Sequence, residues 1–279
     1  MATVASALAR AEERLAAAGV ETPRVDAELL LAHVLGTTRS GLALARSREL
    51  GVAEARKLER LLARRLRREP LAYVLGEWGF RRLTLRVDAR VLVPRPETEV
   101  VVERCLALLR GAEAPRVLDV GTGSGAIALA IADEHPGAQV TGIDASEDAL
   151  AVARENAART RLPLELRRRD LFAGLPEGPW DLVVSNPPYV RPEELERLPP
   201  EVREWEPRSA LVGTGATEAV ARGARRVLRP GGALVLEVAD GDADRVAGLL
   251  RELGYGAVRT TRDLAGRERV VEGVTTSGP

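Results

Sequence analysis

The sequence predicts an α/β protein in which a seven-stranded, mostly parallel sheet carries helices on both faces, preceded by a small helical bundle and a β-hairpin linker. From Arg116 onward, short apolar runs alternate with helical stretches: RVLDVG, QVTGIDA, LELRRRD, DLVVSNPPY and ALVLEV. Such βαβ repetition makes parallel sheets whose ligands sit beyond the carboxyl ends of the strands. The last two runs, AVRTTRD and RERVVEGV, are joined only by Leu264, Ala265 and Gly266. That link is long enough for an antiparallel pair and too short for a parallel crossover. Ahead of the sheet, from Thr3 to about Glu69, apolar residues recur at three and four positions, the period of amphipathic helices.

In chain order, Leu8, Leu15 and Ala18, then Leu29, Leu30, His33 and Val34, then Leu58, Leu61, Leu62 and Leu66 mark helical faces broken near Gly19, Gly36 and Gly51. Residues 1–76 are therefore expected to form a helical domain. Over residues 77–94 the pattern changes to alternation, with Phe80, Leu83, Leu85 and Val87, then Val91 and Val93, separated by Asp88, Ala89 and Arg90. A hairpin linker is expected there, turning at those three residues. Pro96 and the acids after it suit the start of a helix running to about Leu109, within a third region of residues 95–279. Residues 275–279 are expected to fray.

Composition narrows the function classes. The 279 residues hold 41 basic and 41 acidic side chains, and 45% are hydrophobic, which excludes disorder and disfavours wholesale binding to nucleic acid or an anionic membrane. All of the basic residues but Lys57 are arginine. The lone Cys105 excludes an internal disulfide framework and suits a reducing compartment. No run approaches the roughly 18 consecutive apolar residues of a membrane span, and the first residues lack the basic and apolar regions of a secretion signal. A cytoplasmic protein is expected.

Two stretches carry chemistry. In the first, an apolar strand ends in Gly121, Thr122, Gly123, Ser124 and Gly125 and runs into a helix. Glycines let the backbone turn sharply and approach a ligand closely, with a helix N-terminus behind. Asp144 follows about 20 residues on, at the end of the second strand, where an acid accepts hydrogen bonds from ribose hydroxyls in a nucleotide cofactor. In the second, Asn186, Pro187, Pro188 and Tyr189 directly follow the apolar strand Leu182, Val183, Val184 and Ser185. Successive prolines stiffen the loop and remove N–H donors while leaving carbonyls. The Asn186 side-chain oxygen and the Pro187 carbonyl remain as two acceptors, which with the Tyr189 ring suit a planar –NH₂ group held flat.

These residues resemble the signature of amino-methylating S-adenosylmethionine enzymes, and the parallel sheet finished by an antiparallel hairpin resembles the class I methyltransferase fold. Further stretches narrow the likeness: DAELLL from Asp26, EPLAYVLG from Glu69, VPRPETE from Val93 and EPRSAL from Glu206. Together they are similar to the HemK/PrmC family, the release factor glutamine methyltransferases, across nearly the whole chain. The resemblance implies N5-methylation of the glutamine in the Gly-Gly-Gln loop of bacterial class I peptide chain release factors. It implies that S-adenosyl-L-methionine is held by Gly121, Thr122, Gly123, Ser124, Gly125 and Asp144, with contacts from Leu171 and Asn186. It further implies that Asn186, Pro187, Pro188 and Tyr189 grip the substrate glutamine, that Asn186 and Pro187 serve catalysis, and that the helical domain docks the release factor. Family members often carry a tryptophan at or beside Leu171, where this chain has Leu171 followed by Phe172.

Other features are set aside. His33 and His135 lack partners at metal-ligand spacing, so no metal is expected, and His33 reads as a core or boundary residue. Cys105 reads as a small buried apolar side chain. The run Arg60, Arg64, Arg65, Arg67 and Arg68, with Glu54, Glu59 and Glu69 around it, reads as a solvated helix face, with partner docking second. Arg95 and Glu97, in a stiff Pro-x-Pro segment, are placed to order either the cofactor or the domain junction, with the structural role preferred. Adenine-N6 methylation of DNA is the rival activity, since the same loop fits a flipped base, but the chain has no sizeable basic recognition region. A nicotinamide dehydrogenase has no use for the second motif, and the intact motifs disfavour a non-catalytic binding module that keeps the fold and cofactor pocket as a scaffold.

Overall fold

A computed structural model describes residues 2–276. The chain divides into two units, Met1–Glu77 with Leu198–Trp205, and Trp78–Arg197 with Glu206–Pro279. The sequence pattern alone placed residues 198–205 in the second unit.

The first unit is helical, with helices at Val4–Ala17, Pro23–Leu35, Arg39–Leu44, Val52–Leu66 and Leu71–Leu75. The Thr3 hydroxyl accepts from the Ser6 N–H (3.2 Å) at one start, and Glu54 accepts from the Gly51 N–H (2.9 Å) at another. Gly36 closes the second helix in the left-handed conformation, φ 60°, which glycine adopts without strain. Leu15, Leu30, Leu31 and Leu62 fill the core.

Within that core lies an ion pair that corrects the expectation of a solvated arginine face. Arg65 is 5% exposed and its Nε donates to Asp26 Oδ2 at 2.6 Å, while its Nη1 reaches Glu69 O (3.2 Å) and Glu201 (2.9 Å). Arg64 pairs with Glu69 and Arg68 with Glu201, leaving only Arg60 and Arg67 of the run exposed. Thr22 completes the site by donating to Asp26 Oδ1 (2.8 Å). Removing one partner of a buried pair strands the other charge, so Asp26→Ala should destabilise this unit by about 3–5 kcal/mol. Urea unfolding followed by far-UV circular dichroism will show it as an early transition; an unchanged midpoint would mean Arg65 finds water instead.

The second unit begins within a two-stranded sheet, β1 (Glu77–Phe80) and β2 (Leu83–Arg86). The hairpin turns at Arg81 and Arg82, with Arg81 at φ 51°, rather than at the expected residues 88–90. Arg81 is held there by Glu134 and by its own N–H donating to Glu99 Oε1 (2.9 Å). The expected turn residues instead close a loop, Val91 N–H to Asp88 O (3.1 Å), that buries Val91 and Val93 without strand pairing.

The large sheet comprises β3 (Arg116–Val120), β4 (Gln139–Asp144), β5 (Glu165–Arg168), β6 (Trp180–Ser185), β7 (Leu228–Glu237), β8 (Tyr255–Arg262) and β9 (Glu268–Thr275). Its order is β5-β4-β3-β6-β7-β9-β8, parallel except where β9 runs antiparallel to β7 and β8. This is the seven-stranded, mostly parallel sheet the sequence predicts. Thr275 is paired in β9, and 277–279 of the expected frayed end lie outside the described residues. Side chains alternate across the sheet: Val117, Leu182 and Val235 pack with Val101, Cys105 and Ile131 on one face, while Leu118, Val183 and Leu236 pack with Val220, Ala224 and Val246 on the other. Cys105 is fully buried, and burial pushes its thiol pKa up, in keeping with its reading as a small core residue.

The strand order reverses at β3, which has β4 on one side and β6 on the other. Crevices at such a reversal are where open α/β sheets bind ligands. Register sharpens the point. Val120 pairs with Ile143 and with Ser185, and Ser185 pairs with Leu236. The residues that follow, Gly121, Asp144, Asn186 and Glu237, therefore leave the sheet at one level.

Candidate active site

The glycine loop turns directly off β3. The Gly121 and Thr122 N–H groups donate to Ile143 O at 2.8 and 2.9 Å, folding the loop back over β4. Gly121, Gly123 and Gly125 have φ of 74°, 55° and 81°, in the region where a side chain strains the backbone. A Cβ at Gly121 or Gly123 would meet nothing within 4 Å, so the loop faces open space that a ligand can fill. Gly125 caps the helix Ala126–Glu134, which begins at the loop.

Asp144 is fastened to this loop. Its Oδ2 accepts from the Gly123 N–H and its Oδ1 from the Ser146 N–H, both at 2.9 Å. Each oxygen keeps a lone pair for an outside donor. Burial raises the Asp144 pKa despite these bonds. The Arg169 N–H donates to Asp144 O (2.9 Å), which ties the end of β4 to the short helix Leu171–Ala173. Leu171 packs on the core and Phe172 is 62% exposed.

Asp119, inside β3, has no exposed surface. Its Oδ2 accepts from Thr122 Oγ1 (2.6 Å), whereas its Oδ1 is buried and makes no hydrogen bond among the described residues. Burial pushes its pKa up to about 7. An unpaired buried carboxylate oxygen is costly, and a cationic ligand group beside it would relieve that cost.

The second loop is stiffened from three sides. Ser185 anchors its root by donating to Val120 O (2.7 Å). Pro187 is buried, while Asn186, Pro188 and Tyr189 are partly exposed. Beyond it, the Val190 N–H donates to Leu211 O (2.9 Å) and Val190 bridges to Val212. Gly213 then lies so close to Pro188 that a Cβ there would sit 2.6 Å from the Pro188 carbonyl oxygen. The EPRSAL stretch thus leads into the backrest of the loop. Asn186 Nδ2 donates to Thr98 Oγ1 (3.4 Å), and its Oδ1 makes no hydrogen bond among the described residues. Burial pushes the Tyr189 phenol up to about 12, so it stays protonated and uncharged.

Asn156 joins the two sheets to the site. This fully buried side chain accepts from the Arg86 N–H (2.6 Å) and donates to Arg86 O (3.0 Å) and Ser124 O (2.9 Å), fixing the glycine loop to β2. Asn156→Ala strips three backbone groups of their partner and should cost about 3 kcal/mol at roughly 1 kcal/mol each. In a domain of this size that is a fall of roughly 6–12 °C in Tm, readable by scanning calorimetry. An unshifted Tm would mean that water replaces the amide without loss.

The sequence-predicted residues Gly121, Thr122, Gly123, Ser124, Gly125, Asp144 and Asn186 come together at the carboxyl ends of the interior strands β3, β4 and β6, with Pro187, Pro188 and Tyr189 continuing from Asn186. Leu171 lies on the segment fastened to Asp144. Arg95 pairs with the buried carboxyl of Glu206 and Glu97 with Arg267 (2.9 Å), as structural residues would. Asp119, Thr98, Asn156 and Glu237 were not singled out from the sequence. Acids inside the apolar runs VLDV and LVLEV were the available signal, because a charge in a buried strand needs a reason.

No helix among the described residues is long and apolar enough to cross a membrane. A family described as the PrmC N-terminal domain matches residues 6–76, and one described as the methyltransferase small domain matches residues 99–198. The chain is 43% identical to the release factor glutamine methyltransferase of Caulobacter vibrioides, over 98% of this chain and 96% of that one. It is 46% identical to the protein of the same name from Deinococcus radiodurans, over 95% of each. Among solved structures, a methyltransferase from Pyrococcus furiosus superposes with a TM-score of 0.53 at 20% identity, covering 69% of this chain and 89% of that one. A Thermus thermophilus 16S rRNA methyltransferase in complex with AdoMet and guanosine gives the same score and identity, covering 71% and 49%. These two likenesses are of fold.

Proposed function

The chain belongs to the release factor glutamine methyltransferases, and from that premise we propose how its residues divide the work of an S-adenosyl-L-methionine-dependent protein-(glutamine-N5) methyltransferase. The substrate is the glutamine of the Gly-Gly-Gln motif in bacterial class I peptide chain release factors, and the helical unit serves to dock that protein. Neutral net charge and the absence of a basic recognition region favour a protein substrate over nucleic acid or a membrane surface, and the working compartment is the cytoplasm. One observation carries the reading: Gly121, Asp144 and Asn186 leave adjacent strands at one level, so a cofactor cradle and a stiff acceptor loop face a common crevice.

The residues present fit S-adenosylmethionine. Open space over Gly121 and Gly123 admits it, Asp144 offers acceptors to its ribose, and the unpaired Oδ1 of Asp119 suits its ammonium group. Thr122, Ser124 and Gly125 shape the cradle, and Leu171 supplies apolar surface for the adenine. When bound, the cofactor supplies an electrophilic methyl group on a positively charged sulfur.

The chain's own residues address a weak nucleophile. An amide nitrogen has its lone pair delocalised by the resonance that gives the peptide bond its barrier of about 18–20 kcal/mol. The Asn186 Oδ1 and Pro187 carbonyl would accept the two amide N–H groups, raise electron density on nitrogen and aim it for in-line displacement, in which the nitrogen–methyl bond forms as the methyl–sulfur bond breaks and the nitrogen gives up one of its two protons. Pro188 holds the loop rigid, and Tyr189 provides a flat face for the amide. Positioning of this kind can contribute roughly 7–11 kcal/mol.

The test is incubation with methyl-labelled S-adenosylmethionine and a release factor, its Gln-to-Ala loop variant, or duplex DNA. Label on the intact factor alone supports the reading; label on DNA overturns it.

A further inference from the structure

Behind the substrate loop lies a buried polar chain that the proposed chemistry does not use. Thr98, the first residue of the helix Thr98–Leu108, is 4% exposed, and Glu237, the last of β7, is 2% exposed. Thr98 Oγ1 donates to Glu237 Oε2 at 2.7 Å and lies 3.4 Å from Asn186 Nδ2. Burial, and after it the nearby Glu237 charge, raises the pKa of the Tyr189 phenol at the other end of the loop. The first residue of the loop is thus connected through Thr98 to a carboxylate 51 residues further along the chain from Asn186.

The direction of these bonds follows from donor counting. An ionised carboxylate only accepts, so Thr98 spends its single proton on Glu237. Its oxygen can then serve Asn186 only as an acceptor, and the neighbouring Asn186 atom must be the –NH₂ nitrogen. The Asn186 oxygen is left to face away from Thr98. We propose that Thr98 and Glu237 are positioning residues that lock the Asn186 side-chain amide with its oxygen toward the substrate glutamine. This inference rests on the reading of Asn186 as a substrate acceptor.

A pH signature follows. Besides Tyr189 from the loop, Glu237 is faced by Arg269 from β9, which favours its charge, and by Glu97 before the helix, which opposes it. Burial is the largest influence and raises the pKa to about 7. Below that pH the protonated carboxyl can donate to Thr98, the Thr98 proton is freed to point at Asn186, and the amide can turn its oxygen inward. Methyl transfer should therefore weaken as pH falls through about 7. Assays at saturating S-adenosylmethionine keep Asp119, whose pKa is also raised to about 7, from contributing through cofactor binding.

The experiment compares wild type, Thr98→Val, Thr98→Ser and Glu237→Gln, with kcat and KM for a release factor, cofactor affinity by titration calorimetry, and pH profiles. Thr98→Val should lower kcat by about 100-fold, the scale of a small misplacement of a reacting group, with KM and cofactor affinity near wild type. Thr98→Ser restores the hydroxyl and most of the rate, which a purely packing role for the Thr98 methyl would not do. Glu237→Gln should lower kcat and abolish the acid limb, because a carboxamide can meet Thr98 through either end and does not titrate. The inference is overturned if Thr98→Val turns over like wild type, if serine fails to rescue a cofactor-binding Thr98→Val protein, or if the acid limb survives in Glu237→Gln. Should Thr98→Val fail to fold, the serine and glutamine variants decide by the same criteria. If wild type itself leaves the release factor unlabelled, the functional reading falls and takes this inference with it; if wild type and Thr98→Val label it equally, only the inference falls.

Discussion

Asn186→Ala is expected to reduce methyl transfer to a release factor by about 10²–10³-fold or more, the usual effect of deleting one preorganised polar group at a reacting centre. The methyl side chain removes the free Oδ1 acceptor and the contact to Thr98 together. Cofactor affinity should largely persist, because the glycine loop and Asp144 are fastened to each other and to β4 without Asn186. Single-turnover rates at saturating cofactor, with a calorimetric titration of S-adenosylmethionine alongside, separate the two effects. Turnover near the wild-type rate would remove Asn186 from the reaction.

The second large effect is expected at Asp144. Asp144→Ala withdraws the two oxygens proposed to accept from the ribose and unpins the N–H groups of Gly123 and Ser146, so the Kd for S-adenosylmethionine should rise roughly 100-fold or more, given about 1.5–3 kcal/mol for each hydrogen bond to a charged group. Asp144→Asn should do little better than alanine. Both carboxylate oxygens face backbone N–H donors, so whichever way the carboxamide is turned, its –NH₂ opposes one of them. Equilibrium titration reads this directly. An asparagine variant that binds as wild type does would show that ribose recognition lies elsewhere.

The parts of the fold and site that were legible beforehand are those written in consecutive residues at strand ends. The glycine loop, Asp144 and the Asn186 loop each follow an apolar strand, and a parallel sheet brings such ends together without further information. Contacts between distant segments left no such trace. Thr98 and Glu237 meet across 139 positions, and Asn156 reaches Arg86 across 70. Arg65 sits in a run of five arginines with nothing local to distinguish it, because its burial depends on Asp26, 39 residues earlier. The hairpin turn was misplaced since Asp88, Ala89 and Arg90 look more like a turn than Arg81 and Arg82 do. Glu99 and Glu134 hold Arg81 at its positive φ, and both lie outside the hairpin.

The fit of Gly213 against Pro188 has a consequence for redesign. Moving this enzyme toward another planar amine by grafting a foreign four-residue loop after Ser185 would seat that loop on a backrest shaped for this one. With the Pro188 carbonyl oxygen 2.6 Å from where a Cβ at residue 213 would stand, neither partner can be exchanged alone. The transplantable piece is the pair of segments, residues 186–190 with 206–213, carried together as a single cassette.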